Sequence, residues 1–489
     1  MDDGLLMDGV VFPVAINGKR STSALGRGVV ADALRAVDPI GARAAVGETD
    51  WRHDYVGHFR RVLEAGLGSR EAALTIATNG LASLHRRMRF VGTDGESAIG
   101  EIFGGAVSDL TTETVAGRGD VERDISLPYR GERLRGDALL RQLDAWVSDG
   151  VIEPSCASAV REVVASPDLL DLSDLRIVVL GAGAEMGPVH SLLRWGADVV
   201  AVDLPRPAIW SRLLEINQRY RGRLHIPVRP GDGDLTRRAG ADLLHELPSV
   251  AAWLGSLDGR LVLGDYVYAD GATNVRVSMA VDALSAHLIA QRPETALAFL
   301  ATPTDAFAVP SDAVVQSASA YASPKGFSRI RGPLRVVSAG RLLRRNYAPG
   351  AGEPAICDAV VPQQGPNYAL AKRLQRWRAT VARDAGTTVS FKVAPPTRTR
   401  SVLKNRALAA AYAGAHVFDV QVFEPATSNT LMAILLVHDL RNPAAVAPRE
   451  HPWMDEAFGA AHGGLWRAPY APRSALGLAA LLGFGGARG

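Results

Sequence analysis

From about residue 25 to 165, apolar residues recur three and four positions apart, as in Tyr55-Val-Gly-His-Phe-Arg-Arg-Val-Leu and Ala138-Leu-Leu-Arg-Gln-Leu-Asp-Ala-Trp-Val. That spacing predicts amphipathic helices. Ser69 is placed to cap one of them, and Glu153-Pro154 opens another that runs toward Val164. The pattern changes near Pro167, where short apolar runs alternate with helical stretches, as strand-helix-strand units and a parallel sheet require. Arg176-Ile-Val-Val-Leu and Asp198-Val-Val-Ala-Val are the first two such runs. Gly and Pro crowd 226–233 and 348–366, which are expected to be loops. The expected organisation is a mainly helical N-terminal domain over 1–166, an α/β domain over 167–445, and a C-terminal tail or lid over 446–489.

Composition adds little beyond exclusions. Lys and Arg number 54 against 51 Asp and Glu, and no basic run is interleaved with aromatics, so nucleic acid is not an expected partner. The two cysteines, Cys156 and Cys357, lie far apart without metal-ligand spacing around them, so no disulfide framework and no metal site are expected. The opening Met-Asp-Asp-Gly lacks a basic segment followed by an apolar one, and the run from Ser474 to Phe484 is too short to span a bilayer. A cytoplasmic protein without an integral membrane segment is expected, with that late run packed on the body. His53, His58 and His85 stand beside arginines in separate segments and are expected on the solvated surface.

The chemistry is concentrated after Arg176. The first apolar run enters Gly181-Ala-Gly183-Ala-Glu185-Met186-Gly187, and a helix-like stretch follows. Glycines remove side chains that would hold a pyrophosphate away from the backbone, and a following helix offers free N–H groups. The second run ends in Asp203, about 20 residues on, where a carboxylate accepts from both ribose hydroxyls of NAD and repels the extra phosphate of NADP. Strand, glycine turn, helix and acid together predict a Rossmann unit, a doubly wound parallel sheet. NAD is expected ahead of NADP, although Arg206 stands near enough in sequence to meet a 2′-phosphate.

From about 175 to 400 the chain resembles the short-chain dehydrogenase/reductase family. The family's glycine motif is Gly-x-x-x-Gly-x-Gly. Gly181 and Gly187 match its ends, while Glu185 replaces the middle glycine, so its carboxylate is expected to repel a pyrophosphate. The resemblance makes Asp234-Leu235 the adenine contact, Gly259 to Gly264 the fourth strand, and Asn274 the anchor of a proton-relay water. It makes Ala296 to Thr302 the fifth strand, with Thr302 or Thr304 in the place of the family's serine.

The family's Tyr-x-x-x-Lys motif occurs twice, as Tyr321/Lys325 and as Tyr368/Lys372. One helical turn sets the ammonium near the phenol and lowers its pKa for proton transfer. Pro324, Gly326 and Gly332-Pro333 break any helix after Tyr321, whereas Arg373 to Asp384 continues one after Tyr368, and a strand followed by Pro395-Pro396 resembles the family's segment at the nicotinamide. Tyr368 and Lys372 are therefore the expected catalytic pair, and an insertion at about 305–350 becomes a candidate lid. The aromatic tail with His451 and His462 is expected to pack or to cover the site.

The implied function is NAD(P)-dependent oxidoreduction between a carbonyl and an alcohol, on a small-molecule substrate that the size of the extensions suggests is large or apolar. Two alternatives stay open: a catalytically degenerate dinucleotide-binding protein, and an epimerase or dehydratase on the same scaffold. Homo-oligomerisation is also left open.

Overall fold

The computed structural model describes residues 8–15, 18–93, 95–323, 328–350 and 352–484. Its centre is a seven-stranded sheet built from β1 (Thr111–Ala116), β2 (Leu175–Leu180), β3 (Asp198–Val202), β4 (Arg223–Val228), β5 (Arg260–Asp265), β6 (Ala296–Ala301) and β7 (Val389–Val393). The strand order is β7-β6-β5-β2-β3-β4-β1, parallel throughout except for β1, which runs antiparallel to β4. Strands buried on both faces need apolar residues at consecutive positions, which is why β2 and β3 read as continuous runs rather than alternations.

Alternate residues of each strand serve different cores. Val178, Leu180, Val200 and Val202 face one, together with the helices α1 (Ala272–Gln291) and α2 (Gly365–Asp384). Ile177, Val179, Val199 and Ala201 face the other, together with α3 (Pro425–Arg441) and the earlier helices Gly136–Ser148 and Pro154–Ala165. Helices therefore cover both faces of a mostly parallel sheet, an α/β architecture.

The boundary expected near 166 is not a seam in the structure. β1 comes from the N-terminal stretch, and is fastened by Trp253 Nε1 donating to Thr112 Oγ1 at 2.9 Å and Asn217 Nδ2 donating to the Val115 carbonyl at 2.8 Å. The helices Thr22–Leu34, Trp51–Gly66 and Arg70–Arg87 share the first core with α1 and α2. Of the three histidines expected at the surface only His53 is exposed: His58 stacks on Trp51 and meets Glu48 at 3.1 Å, and His85 meets Asp282 at 2.7 Å.

The expected insertion is an excursion closed by strands Ala306–Val309 and Ala355–Asp358, which pair antiparallel. Its helix Ser311–Ala322 and the following Leu334, Leu342 and Leu343 form a third, small core with Phe418, Tyr470 and the helix Pro472–Gly483. The tail is a staple. His462 is fully buried, stacked on Trp466 and 2.8 Å from Glu153, whose other oxygen takes Arg467 at 2.7 Å. Among the described residues no helix is long and apolar enough to cross a membrane.

Candidate functional site

A cavity of about 1080 Å³ opens at the carboxyl ends of the parallel strands, and the ends of β2, β3, β5, β6 and β7 all contribute to it. Strand order reverses between β2 and β5, so the loops leaving these neighbours diverge to opposite faces of the sheet and leave a crevice between them.

The turn after β2 forms one wall. Gly181 takes a φ of +82°, and a Cβ there would lie 2.9 Å from the Tyr266 carbonyl oxygen, so only glycine fits. Gly183 is held between Asp203, whose Oδ2 accepts its N–H at 2.7 Å, and Arg212, which donates to its carbonyl at 2.6 Å. Asp203 Oδ1 accepts from Leu204 N at 2.7 Å. Burial raises the Asp203 pKa, and these amides with Arg212 work against the rise. Gly187 closes the turn, its N–H donating to Ala184 at 3.1 Å, but lies behind the cavity wall. Arg206 is exposed and outside the lining.

Glu185 lines the cavity, but its carboxylate is already engaged. Its carboxylate accepts from the Arg400 backbone N–H at 2.7 Å and from Arg400 Nε at 3.0 Å, and its carbonyl accepts from Asn429 at 3.0 Å. The charge expected to repel a ligand is thus neutralised. Met186 beside it lines the cavity.

The fourth strand's glycine is a packing residue. A Cβ on Gly264 would sit 2.5 Å from the Tyr266 ring, and Gly264 lies outside the lining; the next residue, Asp265, lines the cavity instead. Asn274, at the start of α1, lines it and accepts from Ala269 N at 3.1 Å, which fastens the loop after β5.

Asp234 and Leu235 are not in the site. Asp234 is exposed and caps the short helix Leu235–Arg238, with Thr236 Oγ1 2.7 Å away. The chain after β4 makes a detour and returns where Ala239 bridges to Val228. Ala241, Asp242, Leu243 and Leu244 then reach the cavity, with Ala241 N donating to the Asp203 carbonyl at 3.0 Å. Asp242-Leu243, directly ahead of the helix Leu247–Gly255, is the acid-leucine pair at this end of the cavity. Asp234-Leu235 also stands directly before a helix, so position in the sequence did not separate the two pairs.

Tyr368 and Lys372 lie in the first two turns of α2, and both line the cavity. Burial pushes the Tyr368 phenol up to about 12, against a hydrogen bond with the Thr302 hydroxyl that lowers it. Thr302 continues to Thr304 at 2.8 Å, and Thr304 donates to Gln364 at 2.9 Å, so of the two threonines Thr302 lines the cavity and Thr304 supports it. The Tyr268 ring meets the Tyr368 ring edge-on at 6.3 Å.

Lys372 Nζ donates to Gln375 Oε1 at 2.9 Å and to the Leu300 carbonyl at 3.3 Å. Burial lowers its pKa, with Asp265 and Asp305 opposing. Gln375 in turn donates to Asp265 Oδ2 at 2.9 Å. Burial pushes Asp265 up to about 6, held from going further by Lys372, Gln375 and the Val267 amide. Asp265 and Gln375 were not singled out in the sequence, although an acid at the carboxyl end of the strand beside a glycine turn was a readable sign for the first.

Tyr321 is elsewhere. It is buried in the third core, where Arg335 donates to its hydroxyl at 3.1 Å and Arg331 and Arg345 lie over its ring at 3.9 and 4.5 Å. Its partner Lys325 falls outside the described residues. The described residues of the 305–350 excursion contribute nothing to the lining, and neither do His451 and His462. The roof is built from the segment after Pro395 and Pro396: Thr399 to Val402, Lys404, Asn405, Arg406, Leu408 and Tyr412. No protein-family model, curated protein or solved structure matches the chain.

Proposed function

We propose that this protein is an NAD(H)-dependent oxidoreductase that interconverts a carbonyl and an alcohol, on a Rossmann sheet of the kind the short-chain dehydrogenase/reductase resemblance implies. The observation that carries the reading is one cavity joining the glycine turn and Asp203 to Tyr368, Thr302 and Lys372. The order β7-β6-β5-β2-β3-β4 supports it, being the order of doubly wound dinucleotide-binding sheets.

The residues present fit a dinucleotide. The Gly181 to Met186 backbone leaves no room for a Cβ at Gly181 and is suited to a pyrophosphate, and the Asp203 carboxylate is suited to ribose hydroxyls. Asp242 and Leu243 belong to the adenine end, and Lys372 and Pro395 to the nicotinamide end. Bound nicotinamide supplies or takes the hydride. Tyr368 is protonated at neutral pH, as an ordinary tyrosine is, so its phenol carries a proton for a carbonyl oxygen during reduction; burial pushes it up to about 12, opposite to the lowering the resemblance implies, and makes it a weaker acid until a bound ligand changes its surroundings. Thr302 orients that phenol and positions the carbonyl. Lys372, held by Gln375 and the Leu300 carbonyl, is the cation four residues from Tyr368 and is assigned to the nicotinamide end with it.

Calorimetric titration with NADH and NADPH, and turnover of a ketone panel by Tyr368→Phe and Tyr321→Phe, test the reading. NADH is expected to bind the tighter. Tyr368→Phe is expected to lose roughly two to four orders of magnitude in rate with NADH affinity retained, and Tyr321→Phe little. Tighter NADPH binding refutes the role given to Asp203, and a dead Tyr321→Phe beside an active Tyr368→Phe moves the acid to the third core. A second reading, dinucleotide binding without turnover, is favoured by the absence of a hydrogen bond between Lys372 and Tyr368. Tight NADH binding with no ketone reduced would select it.

A further inference from the structure

The roof of the cavity is cationic and two of its charges are unmatched. No Asp or Glu occurs between Asp384 and Asp419, while Arg398, Arg400, Lys404 and Arg406 fall inside that stretch. Arg398 lies 3.5 Å from Glu424 and Arg400 is bound by Glu185 at 3.0 Å. Lys404 and Arg406 are exposed at the mouth, line the cavity, and have no carboxylate partner among the described residues. Arg400 and Lys404 also stand four residues apart on one short helix, Arg400–Lys404, where like charges cost stability.

The acids in the same lining do not answer these charges, since each is engaged elsewhere. Glu185 holds Arg400, Asp203 accepts backbone amides, Asp242 meets His245 at 2.9 Å, Asp265 is bound by Gln375, and Asp270 accepts from the Tyr268 hydroxyl at 3.0 Å. Beside these cations the lining also holds apolar and aromatic residues, Val267, Val277, Val402, Leu408, Tyr268 and Tyr412. The cavity measures about 1080 Å³, just above the usual range for a single drug-sized ligand.

We infer that the substrate is an amphiphile with an apolar body and an anionic end group, a carboxylate or phosphate, which Lys404 and Arg406 hold at the cavity mouth while the carbonyl reaches Tyr368. The inference rests on the oxidoreductase reading for the identity of the reacting end but not for the anion site itself. The roof is anchored to the glycine turn through Glu185 and Arg400, so these cations keep a set position relative to the reacting groups.

Two measurements test it. The first compares kcat/KM for a medium-chain methyl ketone and for the oxo-carboxylic acid of the same chain length, in the unmodified protein and in Lys404→Glu/Arg406→Glu. The acid is expected to be preferred roughly ten- to hundredfold, the scale of hydrogen bonds to charged groups, and the preference is expected to collapse in the variant. Equal efficiency on both substrates overturns the inference and leaves the oxidoreductase reading intact. The second titrates the NAD-loaded protein with decanoate and with decanol, and decides the matter even if no ketone is reduced. Decanoate is expected to bind more tightly and to lose that advantage in the variant. Equal binding of the two overturns the inference. Weakened NAD binding in the variant with the decanoate preference unchanged also overturns it, because the cations would then serve the dinucleotide's phosphates.

Discussion

Asp265 is a carboxylate taken out of water at the end of a buried strand, with one ammonium near it and N–H donors from the Gln375 side chain and the Val267 backbone. Its pKa of about 6 lies above the ordinary aspartate value of 3.8, so the folded state binds this proton more tightly than the unfolded state does. The sign follows: Asp265 favours folding most below pH 4, and that contribution is lost as pH rises through 6. Asp265→Asn is therefore expected to raise the Tm at pH 8, where the buried charge is removed, and to change it little at pH 4. The same residue gives Lys372 its counter-charge only when ionised. Reduction is expected to show an acid limb near pH 6 in kcat/KM that disappears in Asp265→Asn. Tyr368, pushed up to about 12, stays protonated through the neutral range, so no loss of rate is expected between pH 7 and 9 in that direction. A pH profile with a fall near 7 in the reductive direction would contradict the proton-donor role proposed for it.

At the scale of elements, the turn after β2 and the roof segment form one unit. Because Glu185 is bonded to Arg400, restoring a glycine at that position removes the anchor of the roof rather than a repulsive charge. Glu185→Gly is expected to weaken NADH binding and to speed proteolytic cleavage within 398–406, and Arg400→Ala to do the same. The Tm of both is expected to stay near that of the unmodified protein, since an exposed ion pair contributes little to global stability. Tighter NADH binding by Glu185→Gly would show that the carboxylate opposes the pyrophosphate after all.

The contact between α2 and the helix Arg70–Arg87 depends on Gly80, where a Cβ would come within 2.4 Å of the Trp377 ring. Glycine inside a helix is otherwise unfavourable by roughly 1 kcal/mol against alanine, so its presence reflects this close approach. Gly80→Val is expected to cost about 1–3 kcal/mol through overpacking, read as a lowered denaturant midpoint.

Across the whole molecule, a cluster around the buried Asp282 fastens the helix Arg70–Arg87 to the sheet-covering helices. Asp282 on α1 receives Arg378 of α2 at 2.7 and 2.9 Å and His85 of the Arg70–Arg87 helix at 2.7 Å. Arg378 and His85 together overcome the burial and hold the Asp282 carboxyl far below the usual range, so this link persists above pH 4 and fails only in strong acid. Arg378→Met is expected to destabilise the protein by about 3–5 kcal/mol, because it leaves a buried charge with a diminished partner set. Equilibrium unfolding checks this. With β1 in the sheet and the N-terminal helices in the first core, residues 167–445 expressed alone are expected to be insoluble or molten, which circular dichroism and thermal melting would detect.

The features that the sequence by itself determined are those set by near neighbours along the chain. The run Ile177 to Leu180 is apolar at consecutive positions and, ended by glycines, reads as a strand buried on both faces. The glycines after it are needed where the backbone turns back under Tyr266, and Tyr368 and Lys372 meet the same cavity because one helical turn separates them. The tertiary structure decided what depends on long-range burial. Asp234 and Asp242 are both acids followed by leucine after the same strand, and only the return of the chain at Ala239 puts the second beside Asp203. The 305–350 excursion turned away to a third core because its apolar residues found Phe418 and Tyr470 there, and the roof fell to 397–412 instead. Asp265, Gln375 and Lys372 lie on β5 and α2, more than a hundred residues apart in the case of the bonded pair, and neither periodicity nor spacing links them. Their meeting follows from which helix covers which strand, a choice made by the packing of the whole core.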